Sequence, residues 1–328
     1  AQAAGAQARS NRPTAPPLSF EMPPAPPAPP PPPAEEAEEV PPEPVEVGPL
    51  SAEDLEARRP FFDEFYGGFD AITLKEKSRA ERREAEKLDN MSLTYGELDV
   101  PTVHQLLNKV KADHGPLFEG KGIFLDLGSG AGKACIAAAL LHPFRKVVGI
   151  ESVQCLHSVA MTVLLKFQEA ELPEHVAKPE VEFIQGDFVS EFDKLEAIAP
   201  EVVVCFAVST CYGEAELNTM ATMASKMPDN SIFITFTQEL PESQVIDLER
   251  HPAQRRAVAV KKALARRGVE PSTVEIKVEP PANNPFGWTL VHTERLSTMG
   301  GASTCFIYRK TVVPGLRPEK EPPAEEAA

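Results

Sequence analysis

Long apolar runs are missing from this chain: its 328 residues contain no stretch of about 18 consecutive apolar residues, which excludes a helical membrane span. Paired thiols are missing too. The five cysteines (Cys135, Cys155, Cys205, Cys211 and Cys305) are scattered, mostly inside apolar runs, with no C-x-x-C pair and no cluster with histidine. That distribution argues against a disulfide framework and a zinc site, so no metal is expected and buried free thiols are. Positive charge is scarce as well: 33 Lys and Arg against 49 Asp and Glu leave a net charge of -16. Such a chain repels a phosphate polyanion on average, which excludes wholesale nucleic-acid binding but not a local basic face. The first residue is Ala1, so the lack of a targeting segment there carries no information.

Proline is abundant, 34 in all, and concentrated before residue 60 and after residue 313. Residues 1–50 are mostly Ala, Pro and Glu around the proline run 23–33. A segment like this has too little apolar surface to offset the entropy of ordering, so a disordered or polyproline II leader is expected. It serves as a spacer or, through a PxxP element, as a ligand for a proline-binding partner. Residues 313–328 form a similar acidic tail. Between them, residues 51–115 are expected to make a small helical cap. Ser51 with Asp54 fits the looser form of the capping box. Phe61, Phe62, Phe65, Tyr66 and Phe69 supply an apolar patch, and residues 74–88 read as a charged, solvated helix. A further helix is expected over 101–110.

Residues 116–312 alternate between apolar runs and helical patterns. The expected strands are 122–127 (GIFLDL), 146–151 (KVVGIE), 181–187 (VEFIQGD), 201–208 (EVVVCFAV), 231–237 (SIFITFT), 273–279 (TVEIKVE) and 303–310 (STCFIYRK). The expected helices are 132–141, 153–169, 214–226 and a basic one near 253–267. This alternation predicts an α/β fold: a seven-stranded, mostly parallel, doubly wound, Rossmann-like sheet with helices on both faces.

The chemistry is concentrated where the first strand turns into the first helix, at Asp126-Leu127-Gly128-Ser129-Gly130-Ala131-Gly132. Glycines there allow a sharp turn and close backbone approach to a ligand at the carboxyl edge of the sheet. A dinucleotide-binding turn is the main rival, but its third glycine falls at position 133, where this chain has Lys133. Asp126 beside the turn repels a diphosphate and suits a ligand carrying an ammonium and a sulfonium, which favours S-adenosylmethionine over NAD. Glu151 ends the second strand, where a carboxylate can accept ribose hydroxyls. Asp187 follows the third strand, placed to accept an adenine amino group, with Phe188 beside it for the ring face. Each acid alone reads as a solvated strand end. Acids at three successive strand tips are harder to obtain by chance.

With these residues in view, the chain resembles the class I S-adenosylmethionine-dependent methyltransferases. Within them it resembles the disruptor-of-telomeric-silencing type, the non-SET lysine methyltransferases of the histone H3 core. Three matches over roughly residues 90–312 carry the resemblance. Leu93-Thr94-Tyr95-Gly96-Glu97 is similar to that family's cofactor-capping loop. Phe124-Leu125-Asp126-Leu127-Gly128-Ser129-Gly130-Ala131-Gly132 is similar to its first motif, with Lys133 where the family usually has glutamine. Gly186-Asp187-Phe188 with Ser190-Glu191 is similar to its acidic loop. The resemblance implies that Tyr95, Gly96 and Glu97 close over the methionine moiety. It makes residues 124–133 cofactor-binding, with Asp126, Gly128 and Lys133 along the amino acid end, and places Glu151 at the ribose and Asp187 with Phe188 at the adenine. It further implies a protein substrate, nucleosomal histone H3, and a nuclear location.

Two departures stand out. The family carries an asparagine pair before Phe-Ala-Phe after its fourth strand, and the sequence reading sets Val204-Cys205-Phe206-Ala207-Val208 in that place. A Cys205 thiol is a weak acceptor and cannot replace an amide carbonyl. The catalytic candidates are therefore Tyr95, Cys205 and Phe206, with Ser209, Thr210 or Tyr212 as substitute polar contacts. Phe206, Tyr212, Phe236 and Trp288 are candidate channel walls. The chain also ends acidic, leaving only the arginines and lysines of 250–267 as a basic face, a run that reads equally as a solvated helix. Three readings stay open: a protein-lysine methyltransferase, a methyltransferase with a small-molecule or RNA acceptor, and a non-catalytic scaffold of the same fold.

Overall fold

The computed structural model describes residues 43–241, 286–298 and 301–312. Two helices lead into it. α1 (Ala52–Phe65) starts at Ser51, whose hydroxyl accepts the Asp54 N–H while the Asp54 carboxylate accepts the Ser51 N–H, so both bonds of the capping box form. α2 (Ala71–Glu84) starts at Asp70, which caps the Thr73 N–H. Both pack on the α/β body. Arg58 of α1 donates to the Leu140 carbonyl at 2.9 Å, and Tyr66 to the Ala131 carbonyl at 3.1 Å. Glu81 of α2 accepts the N–H groups of Gln154 and Cys155, both at 2.7 Å. α3 (Val100–Lys109) follows, capped by Asp99 and with Pro101 in its first turn, where the missing N–H costs nothing.

The body then runs β1 (Ile123–Leu127), α4 (Lys133–Leu141), β2 (Lys146–Glu151), α5 (Gln154–Glu169), β3 (Glu180–Gln185), α6 (Phe192–Glu196), β4 (Val202–Ala207), α7 (Glu214–Lys226), β5 (Ile232–Phe236), β6 (Phe286–Thr298) and β7 (Gly301–Val312). The sheet order is β3-β2-β1-β4-β5-β7-β6. β1 to β5 are parallel, and β7 runs antiparallel to both β5 and β6. β1 lies inside the sheet between β2 and β4 and is buried throughout, as a strand covered on both faces must be. Because side chains alternate, Phe124 packs toward α1, α3, α4 and α5, while Ile123, Leu125 and Leu127 pack toward α7. The expected seven-stranded, mostly parallel sheet is therefore present.

Its sixth strand is a different one. Phe286–Thr298, which the sequence reading left unassigned, pairs with β7; the expected strand 273–279 and the basic helix near 253–267 lie outside the described residues. The β6–β7 hairpin is fastened to the end of α7. Trp288 Nε1 donates to the Ala224 carbonyl at 3.2 Å, and Lys310 Nζ donates to the carbonyls of Ser225 and Met227. Those carbonyls are left without partners by the helix terminus and would otherwise be buried unpaired. Among the described residues no helix is long and apolar enough to cross a membrane.

Candidate functional site

The strand tips line up at one edge. Leu127 lies level with Ile150 of β2 and Ala207 of β4, and Glu151 with Gln185 of β3. Past Leu127 the chain turns through Gly128, Gly130 and Gly132, at φ of +80°, +56° and +79°. The N–H groups of Gly128 and Ser129 both donate to the Ile150 carbonyl, at 3.0 and 2.9 Å, which ties the turn to β2. Gly130 is the tightest point. A Cβ there would sit 2.7 Å from the Tyr95 ring, so only glycine lets the capping loop lie on the turn.

Tyr95 lies buried over Gly130, and its hydroxyl donates to Glu97 Oε2. Glu97 Oε1 in turn takes Lys133 Nζ at 2.5 Å. Lys133 is the first residue of α4 and stands 5.4 Å from the Tyr66 ring centroid. Burial and the Glu97 charge push the Tyr95 hydroxyl well above its ordinary value, so it stays a donor at neutral pH. The loop 94–97, the glycine turn and the N-terminal helices thus meet at one point.

Two carboxylates sit beneath. Glu151 is 7% exposed; its Oε2 accepts the Gly130 N–H at 2.8 Å and its Oε1 the Val153 N–H at 2.7 Å. Desolvation nonetheless raises it to about 7, outweighing its backbone donors. Asp126 is 3% exposed, and its Oδ1 has no partner among the described residues. Desolvation, with the nearby Glu151 charge, raises it to about 7 as well. The third acid, Asp187, lies exposed two residues beyond β3 and accepts the Val189 N–H at 2.8 Å.

A cavity of about 260 Å³ opens at this edge. On one side it is lined by Tyr95, Gly96 and Glu97, with Gly128 at its floor; Glu151, Asp187 and Phe188 line a second side, and Val208, Thr210, Cys211 and Tyr212 a third. Tyr212 donates to the Leu127 carbonyl at 2.5 Å and packs 5.4 Å from the Phe188 ring. Asp126, Ser129, Gly130 and Lys133 stand behind this wall, within the turn that shapes it, and Phe124, Leu125, Leu127, Ala131 and Gly132 belong to the packing beneath. Four acids (Glu97, Glu151, Asp187 and Glu216) against one cation, Lys75, face the space. That donor set suits a positively charged ligand with hydroxyls and an amine, and disfavours a diphosphate. Among the described residues no cluster fit to hold a metal ion occurs.

Cys205 and Phe206 are not at this edge. Both lie inside β4, fully buried, because the apolar run Val202–Ala207 is a central strand covered on both faces. The residues that leave β4 at the cavity are Val208 to Tyr212. Of the candidate channel walls, Tyr212 lines the cavity, while Phe206, Phe236 and Trp288 are core residues with no exposed surface. Ser209 points inward, its hydroxyl donating to the Phe236 carbonyl at 2.8 Å. Lys75, Ser152, Leu156 and Ser303 also line the cavity and were missed. Their types carry no local signal; only the fold assembles them.

A parallel core in this strand order with a reversed seventh strand, and an acid-lined cavity over a glycine turn, define a class I S-adenosylmethionine-dependent methyltransferase fold. The family model described as histone methylation protein DOT1 matches residues 82–262, more than half of the chain, and the chain belongs to that family. No curated protein matches the sequence. Among solved structures, the B. subtilis tRNA methyltransferase TrmK is 11% identical, with 65% of this chain and 66% of that one covered at a TM-score of 0.35. M. capricolum TrmK, in complex with S-adenosylhomocysteine, is 9% identical, with coverage of 61% and 67% and a TM-score of 0.35. Aeropyrum pernix fibrillarin, with bound S-adenosylmethionine, is 14% identical, with 58% and 66% covered and a TM-score of 0.34. Likenesses this weak say nothing of a substrate.

Proposed function

We propose that the protein is an S-adenosylmethionine-dependent protein-lysine N-methyltransferase acting on the core of histone H3, and that it works in the nucleus on chromatin. The supporting observation is the cavity over the glycine turn, closed by Tyr95 and Glu97 and lined by Glu151 and Asp187, in a chain of the histone methylation family. In this reading Glu97 serves the ammonium end of the cofactor, Asp126 adds its charge from beneath the glycine turn, and Lys133 holds Glu97 in place. Glu151 takes the ribose hydroxyls, and Asp187 with Phe188 the adenine. The bound cofactor supplies an electrophilic methyl group on a sulfonium.

The chain's own work is alignment and exclusion of water. A lysine must be neutral to react, since an ammonium has no lone pair. The buried rings of Tyr95, Tyr212 and Phe188 at the cavity favour the neutral amine by desolvation, against the opposing pull of the lining carboxylates. Incubation with methyl-labelled cofactor and, in parallel, nucleosomes, free histones and total RNA tests the reading. Label on a lysine of H3 is expected. Label confined to RNA, or absent from every protein, contradicts it.

A further inference from the structure

Two irregular stretches of backbone face each other outside the cavity. α3 does not stop at Lys109. It widens into a π turn (Val110–His114), closed by the Gly115 N–H donating to the Val110 carbonyl at 3.2 Å. Opposite it, the pairing of β6 with β7 shifts register between Leu290 and His292. Such irregularities re-aim side chains and persist where a particular one has to be delivered. Here each delivers a histidine, and the His114 and His292 rings stand 6.0 Å apart.

The contact joins α3 to the β6–β7 hairpin. Gln105 Nε2 donates to Glu294 Oε2 at 2.8 Å, and the other Glu294 oxygen lies 3.7 Å from His292 Nε2. The Arg309 guanidinium of β7 lies along Gly115, where a Cβ would be 3.7 Å from it, and donates to Asn230 at 2.8 Å. Yet this joint is incompletely bonded. His114 is 9% exposed, and neither its Nε2 nor Arg309 Nε has a partner among the described residues. A neutral imidazole tolerates that at modest cost, and a charged one does not.

No free carboxylate faces His114. On its own turn it has Asp113, which Lys109 holds at 2.6 Å, while Lys111 points away to the Leu141 carbonyl. From the hairpin it meets His292 and Arg309, with Glu294 behind His292 and already bonded to Gln105. Burial, with His292, Lys109 and Arg309, holds the His114 imidazole below its ordinary range, against the pull of Asp113.

We propose that this histidine contact is an acid-sensitive joint. Neutral, it holds α3 against the hairpin; proton uptake by His114 puts a charge among Arg309, Lys109 and His292 and drives the two elements apart. Chain connection carries the change further. α3 starts at Val100, just beyond Glu97 of the capping loop, and β7 brings Ser303 to the cavity. Opening the joint therefore loosens two walls of the cavity at once. An unfolded histidine protonates near 6.5, so the joint is at full strength above that value and weakens as pH falls through it. The sign is opposite to that of Asp126 and Glu151, whose protonation the fold favours.

Hydrogen exchange read by mass spectrometry, corrected for the intrinsic pH dependence of exchange, tests this on wild type and His114→Gln from about pH 7.5 to about pH 5.5. In wild type, residues 100–114 and 286–296 should exchange severalfold faster at the acid end while β1 and β4 stay protected. In His114→Gln both segments should change little. NMR titration of the His114 ring in wild type needs no variant, and its midpoint should lie below 6.5, with the Gly115 amide shifting along the same curve. Wild-type protection that ignores pH, an equal change in His114→Gln, a loss spread evenly over the sheet, or a ring midpoint at or above 6.5 overturns the proposal.

Discussion

Glu151 accepts the Gly130 N–H at 2.8 Å, so the acid that ends β2 holds the middle of the turn that ends β1. Its second oxygen takes the Val153 N–H just before α5. One side chain thus fastens the glycine turn, a strand tip and a helix entry, and fixes the floor of the cavity.

Gly130→Ala tests that arrangement from the other partner. Its Cβ would press on the Tyr95 ring from a left-handed backbone position, with Tyr95 Cε2 only 2.7 Å away. The backbone alone costs about 1–2 kcal/mol, visible as a lower Tm. The capping loop should be pushed off the turn, so calorimetric S-adenosylmethionine affinity should fall about tenfold or more.

Acid and stability are linked here in an unusual direction. Burial raises Asp126 and Glu151 to about 7, above their unfolded values near 4. In the interval between, the native state binds more protons than the unfolded state, so stability of the ligand-free protein should fall as pH rises from about 4.5 to about 7, with respect to these two groups. A cationic ligand needs them charged, so S-adenosylmethionine affinity should rise over about pH 6 to 8. Denaturant melts and titrations across that range check both slopes. In the Asp126→Asn variant the rise in affinity should be shallower.

Much of this was legible in the sequence, and the limits have physical causes. β2 and α7 match the expected spans residue for residue, since a buried parallel strand reads as an unbroken apolar run and the helix is bounded by Gly213 and Pro228. β6 was not legible. Among the described residues it pairs only with β7 and is partly solvated, so Trp288 and Leu296 are buried while Leu290 and Glu294 between them are not. That leaves Thr289, His292, Thr293 and Arg295 to dilute its pattern. The three acids and the glycines announced one half of the site, because their chemistry is tied to strand tips. The opposite side of the cavity is made of Val208, Thr210, Cys211 and Ser303, side chain types common anywhere in a chain, and it exists only because the sheet order puts β4 beside β1 and β7 beside β5.

Lys133 stands where the family usually has glutamine, and it is joined to Glu97 at 2.5 Å with both side chains mostly buried, 15% and 12% exposed. Lys133→Gln removes that pair and the charge over Tyr66. The capping loop should loosen, with faster amide hydrogen exchange at residues 94–97 and cofactor affinity weaker by about 1–2 kcal/mol. Unchanged exchange at the loop would remove Lys133 from the latch.

Ser51→Ala reports on the N-terminal helices separately from the cavity. It deletes the acceptor of the Asp54 N–H at the start of α1, at a cost of about 1 kcal/mol. The Tm should drop by a few degrees with cofactor affinity unchanged. A loss of affinity instead would mean that α1 acts on the cavity through Tyr66 and its bond to Ala131.

Most direct is a calorimetric titration of S-adenosylmethionine into the wild-type protein and into Glu151→Ala at about pH 8, where the buried acids are charged. Wild type should saturate at one molecule per chain, and the variant should bind about 1–3 kcal/mol more weakly. No heat with wild type, or equal affinity in the two, would mean that these carboxylates do not hold a methyl donor.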